Sequence, residues 1–374
     1  MNRIGYVLSI SLLMSCGSGG GSTPSSSATT IDSALTGNSQ STPTTRLDKT
    51  YPSSSWETAT PKDVSLSEEH VLALSHKFTQ GSFILIKDGY LIAEGYNNDF
   101  HRDESQLTAS LSKSIYITSY VDYMDEAKIS WDSPIKNHVD WWIDIEMGSA
   151  HTRSLRDLMA MKSGFVSLKR LNEEWYMNDP FRLIKQTTTI DRDYGHWYYN
   201  NGNIVLQTIA LQNECNCDVR DWVTDIHNLL GIRSADLTTT EQGDPTVYGG
   251  IFMSMPDLAR YGYFWSRSCQ WDATQVMPIE LCDSMFETQH TPDTCYIPPN
   301  APTQEQEDGS VWVYTLCEGM KWNYGYGFYN INGWIFGSGA GNKFILFHET
   351  YDIVLVAFGI PFSDFFAELN NLLY

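Results

Sequence analysis

The chain has 374 residues, of which 24 are basic and 45 acidic, for a formal net charge of −21. That length holds a substantial core in one large domain or two closely packed ones, and 12 Trp, 21 Tyr and 16 Phe are available to fill it. The acidic excess argues against nucleic acid or an anionic membrane surface as partner, since both require clustered Lys and Arg.

Residues 1–15 carry Arg3 and then an apolar run from Ile4 to Met14. The run is too short to span a bilayer as a stable helix and reads as the apolar region of an export signal. It ends in Leu13-Met14-Ser15-Cys16, which resembles the lipobox of bacterial lipoproteins. The resemblance implies that Cys16 becomes the lipid-bearing mature N-terminus, so that lipid alone holds the protein to a membrane. Gly17, where an acidic residue could stand, fits an outer-membrane destination facing the periplasm. Residues 16–46 are Gly, Ser, Thr and Pro with almost no apolar content, a flexible tether rather than a fold. The globular domain is expected over 47–374.

Ser65 to Phe78 reads as a helix capped by Ser65 or Ser67. Ser82 to Tyr96 reads as a hairpin turning at Asp88-Gly89. Next comes Thr108-Ala-Ser-Leu-Ser-Lys-Ser-Ile-Tyr-Ile-Thr118, at what the pattern marks as a helix start. Ser110 and Lys113 lie three apart and so share a helix face. A serine hydroxyl needs a base to become a nucleophile, and a buried lysine of depressed pKa can be that base. Free N–H groups at the helix start also favour developing negative charge. The spacing by itself is common: Ser133-Pro-Ile-Lys136 repeats it in a turn-like context with no long apolar helix behind it.

Ser154 to Met161 reads as another helix, leading into Ser163-Gly-Phe, and the chain stays mostly helical and looped to about Tyr324. His196-Trp-Tyr-Tyr-Asn-Asn-Gly-Asn203 offers a tyrosine two residues before an asparagine in two registers, Tyr198 with Asn200 or Tyr199 with Asn201. Such a tyrosine could relay the serine proton to a leaving group, and the amide could orient lysine and substrate. Strands return at Trp334–Gly339, Lys343–His348 and Asp352–Phe358, and Ser363 to Leu373 reads as a last amphipathic helix. Phe336-Gly-Ser-Gly-Ala-Gly-Asn342 is either a plain hairpin or bulge, or an edge strand kept bare so that substrate lies along its backbone. In the second case one of its N–H groups and that of Ser110 would form an oxyanion hole. Strands at both ends with helices between imply an α+β fold. Its antiparallel sheet is flanked by terminal helices (47–104 and 325–374) and carries an inserted, mostly helical part (105–324).

Cys215, Cys217, Cys269, Cys282, Cys295 and Cys317 remain after Cys16, an even number that reads as disulfides in an exported chain, with the pairing left open. Cys215-Asn-Cys217 has no second ligand pair at metal spacing. Neither His-Glu-x-x-His nor a phosphate-binding Gly loop occurs, so neither metal nor cofactor is expected.

The three elements around Ser110, Tyr199 and Gly337, in this order, resemble the serine β-lactamase and penicillin-binding-protein superfamily, nearest its esterase and 6-aminohexanoate-dimer-hydrolase-like branch. Leu158-Met-Ala-Met-Lys-Ser-Gly-Phe165 and Met255-Pro-Asp-Leu-Ala-Arg-Tyr-Gly262 resemble further motifs of that group. The resemblance implies Ser110 as nucleophile, Lys113 as its base partner, and Tyr199 with Asn201 as the register in use. It places Gly337, Ser338 and Gly339 in the third motif, with the Ala340 N–H as second oxyanion donor. Tyr176, in Asn172-Glu-Glu-Trp-Tyr-Met-Asn-Asp-Pro180, falls where the amide-hydrolase branch carries a substrate-touching tyrosine. One departure matters: Gly337 stands where β-lactam-processing members carry Lys or His to pair with a substrate carboxylate. A neutral small-molecule ester or amide is the expected substrate, with Lys343 the remaining candidate for a substitute cation. Penicillin binding, D-alanyl-peptidase or β-lactamase action is a second reading. A non-catalytic binding lipoprotein on the same scaffold is a third.

Overall fold

The computed structural model describes residues 49–97, 100–141, 153–163, 181, 184, 195, 197, 199–291 and 322–374, and the backbone of 303–305 and 311–313. The signal segment, Cys16, the tether, Tyr176, Tyr198, Cys295 and Cys317 lie outside the described residues.

A seven-stranded antiparallel sheet organises the domain. Its strands are β1 (Ser82–Lys87), β2 (Tyr90–Gly95), β10 (Asn323–Tyr324), β11 (Tyr329–Ile331), β12 (Trp334–Gly339), β13 (Lys343–His348) and β14 (Ile353–Phe358), in the order β10-β11-β12-β13-β14-β1-β2. The early and late parts of the chain meet inside it, where β1 pairs with β14 from Ser82↔Phe358 to Lys87↔Ile353. Both strands are buried along their whole length. That is why they read as unbroken apolar runs rather than alternating ones. The β1–β2 turn falls at Asp88-Gly89 as expected, with φ of 52° and 86°, both in the left-handed region that a two-residue hairpin demands.

Helices α1 (Glu68–Lys77) and α8 (Phe362–Asn371) cover one face of the sheet. Ser67 caps α1, its hydroxyl accepting from the His70 N–H. Phe78 at the end of α1 stacks on Phe83 at 4.8 Å and meets Phe365 of α8 at 5.3 Å. Phe362 packs on Phe336 and Phe344. The other face carries α6 (Met255–Ser266), which approaches closely at Gly262. A Cβ there would come within 2.4 Å of Val354 and 2.8 Å of Ile345. Two further groups of the Met255–Gly262 motif pin neighbouring loops. Asp257 accepts from the N–H groups of Arg233 and Ser234, while the buried Arg260 donates to the Leu230, Pro52 and Ser53 carbonyls.

Behind α6 lie α2 (Ser112–Glu126), α3 (Leu155–Met159), α4 (Asn201–Cys215) and α5 (Val219–Leu230). Nearly every residue from Ser112 to Val121 is buried. A helix enclosed on all sides needs no polar face, and this one fills its circumference with Ile, Tyr and hydroxyl residues. Tyr123 stacks on Trp222 of α5 at 4.0 Å. The middle of the chain holds more strand than its sequence announces. A small sheet joins β3 (Gln106–Leu107), β4 (Asp236–Leu237) and β5 (Ile251–Met253) in the order β3-β5-β4. Two-residue strands leave no periodicity to read, so this sheet escaped the pattern. Disulfides join Cys215 to Cys217 and Cys269 to Cys282. Among the described residues no helix is long and apolar enough to cross a membrane.

Candidate active site

Ser110 lies in a 3-10 turn, Ala109–Leu111, that leads directly into α2. Ala109 has φ 50°, a left-handed conformation that a residue with a Cβ seldom adopts. The turn therefore enters the helix sharply and leaves Ser110 half-buried at its start. Lys113, one turn on, is 2 % exposed. Its Nζ is 2.9 Å from Ser110 Oγ and donates to the Tyr248 carbonyl at 2.7 Å. Burial alone holds this amine well below the ordinary lysine range, because taking an ammonium out of water costs more than the two contacts return. The Tyr248 carbonyl is the contact that sequence reasoning missed. Only its neighbours Gly249-Gly250, next to a strand, hinted at a close backbone approach. A Cβ on Gly249 would sit 3.5 Å from the backbone of Ala109.

The tyrosine–asparagine segment reaches the same place. Lys113 Nζ lies 5.0 Å from the centre of the half-buried Tyr199 ring. The Asn200 side chain is used locally: it caps α4 by accepting from the Gly202 N–H at 2.8 Å. Asn201 is the first residue of that helix. The Ser163-Gly motif supports this corner, since the Ser163 hydroxyl donates to Asn203 Oδ1 at 2.5 Å and the buried Arg153 donates to the Ser163 carbonyl.

The glycine-rich element is β12 and its hairpin. Strand β11 pairs only with Trp334 to Phe336, and among the described residues Gly337 to Gly339 pair only with β13. Among the described residues, that half of the strand keeps one open edge. The glycines themselves have a different cause from the one the sequence offered. A Cβ on Gly337 would lie 2.5 Å from Leu111 Cδ1 and 2.7 Å from Ser114 Oγ. One on Gly339 would lie 2.2 Å from the Thr108 carbonyl oxygen and 3.1 Å from the Leu111 nitrogen. A side chain at either position would meet the Ser110 turn, which packs against this face of the sheet. By strand alternation Ser338 belongs to the other face, and Ala340 is exposed in the turn beyond. Lys343 pairs with Gly339 across the hairpin; it is half-buried, its Nζ is 5.9 Å from the Phe358 ring centre, and burial lowers its pKa.

The second Ser-x-x-Lys is a different object. Ser133 Oγ is 2.7 Å from His138 Nε2, and His138 Nδ1 is 2.6 Å from Glu214 Oε1. Lys136 is exposed. In this serine–histidine–glutamate chain the N–H groups nearest the serine are already engaged. The N–H groups of Ser133 and Ile135 donate to the Ser130 and Arg153 carbonyls, and Pro134 has none. Among the described residues no three His, Cys, Asp or Glu side chains gather as a metal site.

A buried lysine of lowered pKa lies against a serine at a helix start, with a tyrosine ring beside the lysine and a glycine strand facing the turn, an arrangement of the residue types that serine hydrolysis uses. The chain belongs to the beta-lactamase family, whose model matches residues 68–358, and so stands among serine hydrolases of the β-lactamase and penicillin-binding-protein superfamily. Similar solved structures include a proposed beta-lactamase from Bacteroides dorei, at 12% identity and TM-score 0.63, covering 82% of this chain and 99% of that one. The octameric penicillin-binding protein homologue from Pyrococcus abyssi is 17% identical, with TM-score 0.61 and coverage of 82% and 77%. A proposed 6-aminohexanoate-dimer hydrolase from Bacillus anthracis is 15% identical, with TM-score 0.58 and coverage of 87% and 88%. At such identities the likeness speaks for the fold alone. No curated protein sequence matches the chain.

Proposed function

We propose that the protein hydrolyses an ester or amide through an acyl-enzyme formed on Ser110. With Lys113 neutral, the Ser110 hydroxyl donates its proton to Nζ as Oγ attacks the substrate carbonyl. The Tyr248 carbonyl takes one amine N–H and so helps aim the nitrogen lone pair at the serine. The N–H groups of Ser110 and Ala340 receive the oxyanion. Tyr199 passes the proton to the leaving group, and Asn201 orients lysine and substrate. Water, activated by the same pair, then releases the acid and returns the proton. The substrate lies along the edge of Gly337, Ser338 and Gly339, with Tyr176 as a further substrate-touching residue. The observation that carries this reading is the 2.9 Å separation of Lys113 Nζ from Ser110 Oγ with the lysine buried.

The closed space around the Gly337 Cα supports a substrate without a carboxylate at that point. A side chain there would have to displace those of Leu111 and Ser114. Stable acylation by a labelled penicillin is therefore expected to be negligible. We also propose lipidation at Cys16 and a place on the outer membrane facing the periplasm, with residues 17–46 as the tether. A fluorophosphonate probe should label Ser110 and burst kinetics should appear with p-nitrophenyl butyrate. Both should vanish in Ser110→Ala and persist in Ser133→Ala. Undiminished labelling of Ser110→Ala would refute the assignment.

A further inference from the structure

Two hydroxyls flank the nucleophile turn, and neither has a part in the chemistry above. Thr108 and Ser112 are both fully buried. Thr108 Oγ1 donates to the Ile251 carbonyl at 2.9 Å and is 2.7 Å from Ser112 Oγ, while the Ile251 N–H donates to Ser112 Oγ at 3.1 Å. A threonine hydroxyl has a single proton. Since that proton is spent on the Ile251 carbonyl, the proton between the two hydroxyls must come from Ser112. The ring then runs in one direction, from the Ile251 N–H through Ser112 and Thr108 to the Ile251 carbonyl, with every group supplied. The Thr108 N–H donates to the same carbonyl at 2.8 Å.

This ring is a chord across the turn that carries Ser110. It ties residues 108 and 112, the two ends of Ala109-Ser110-Leu111, to one residue of β5. Ala109 is held left-handed inside it, and Gly339 presses on the opposite side. Ile251 lies three residues after Tyr248, whose carbonyl holds Lys113. One small ring thus sets the turn bearing the hydroxyl against the segment bearing the acceptor of its base. We propose that Thr108 and Ser112 are positioning residues that keep Ser110 Oγ within proton-transfer reach of Lys113 Nζ, an inference that rests on the hydrolase reading. A general base must stand about 2.6–3.2 Å from the heavy atom whose proton it takes, and a misplacement of about 1 Å can cost about 100-fold in rate.

Thr108→Val tests this without orphaning a backbone group, because the Thr108 N–H still serves the Ile251 carbonyl and Ser112 still accepts from the Ile251 N–H. It should lower kcat on p-nitrophenyl butyrate by about 10- to 100-fold with KM little changed. The acid limb of kcat/KM should move to higher pH as the loosened turn admits water to Lys113. Thr108→Ser, which keeps the hydroxyl, should restore both. Ser112→Ala, which also takes the acceptor from the Ile251 N–H, should lose at least as much as Thr108→Val, and the double variant should be no worse than Ser112→Ala alone, since the ring is already broken there. Wild-type rate and pH profile in Thr108→Val, or equal losses in Thr108→Val and Thr108→Ser that follow their loss of folded protein, would overturn the proposal and leave the hydrolase reading intact. A folded wild type that neither labels at Ser110 nor turns over the ester sinks that reading, and this one with it.

Discussion

Replacing Lys113 by methionine separates what the lysine does for catalysis from what it does to stability. The side chain is 2 % exposed and its pKa is driven well below the ordinary 10.5 by burial. Between that lowered value and 10.5 the unfolded chain carries a proton that the folded one does not, so wild-type stability rises with pH across the window and falls as pH drops through it. At pH 7 the penalty is at most about 5 kcal/mol, the cost of stripping a proton from an ordinary lysine at that pH. Methionine removes the penalty and fills similar space, but leaves the Tyr248 carbonyl without its 2.7 Å donor, a loss of about 1–3 kcal/mol. Lys113→Met is therefore expected to raise stability at pH 7 and to lose that advantage by pH 10.5, where only the lost hydrogen bond remains. Its kcat should fall by about 10²–10⁴, the usual weight of a general base. Urea unfolding of both proteins from pH 7 to 10.5, with ester turnover alongside, makes the measurement. Parallel stability curves would mean that Lys113 is charged in the folded state, and its role as base would be lost.

Tyr199→Phe keeps the ring beside Lys113 and removes the hydroxyl; kcat should fall about 100-fold or more with stability nearly unchanged, as steady-state kinetics and thermal melting would register. Gly339→Ala puts a Cβ 2.2 Å from the Thr108 carbonyl oxygen. It should cost about 1–3 kcal/mol in denaturant unfolding and most of the activity, since the displaced atoms belong to the nucleophile turn. His227 is buried, and desolvation pushes its pKa down to about 4 from 6.5. Its contribution to stability is complete above pH 6.5 and is lost as pH falls to 4, about 3 kcal/mol in all. His227→Gln should flatten the Tm-against-pH curve over that interval, and an unchanged slope would assign the acid sensitivity elsewhere.

Long apolar or alternating runs were legible from the chain alone. The segments Ser82–Lys87, Lys343–His348 and Ile353–Phe358 form the strands expected of them, and Asp88-Gly89 makes their first turn. That strands from both ends share one antiparallel sheet followed from the chain; that β1 pairs with β14 is what the structure adds. Strand pieces of two or three residues, such as Asp236–Leu237 and Ile251–Met253, were not legible, because their pairing is dictated by the neighbours they meet. The disulfide Cys269–Cys282 was equally hidden, since spacing does not choose among six cysteines.

For the site, the chain itself determined the residue types and their local spacing. Ser110 and Lys113 are brought together by one helical turn, a contact that needs no tertiary structure. Tertiary structure decided what surrounds them. Enclosure of α2 strips water from Lys113, the Tyr248 carbonyl arrives from 135 residues away, and the Ser110 turn fills the space over Gly337 and Gly339. A lysine's charge state depends on its solvent, and its solvent is set by packing between distant segments. Ser133 and Lys136 share the spacing of Ser110 and Lys113, but Lys136 remains exposed.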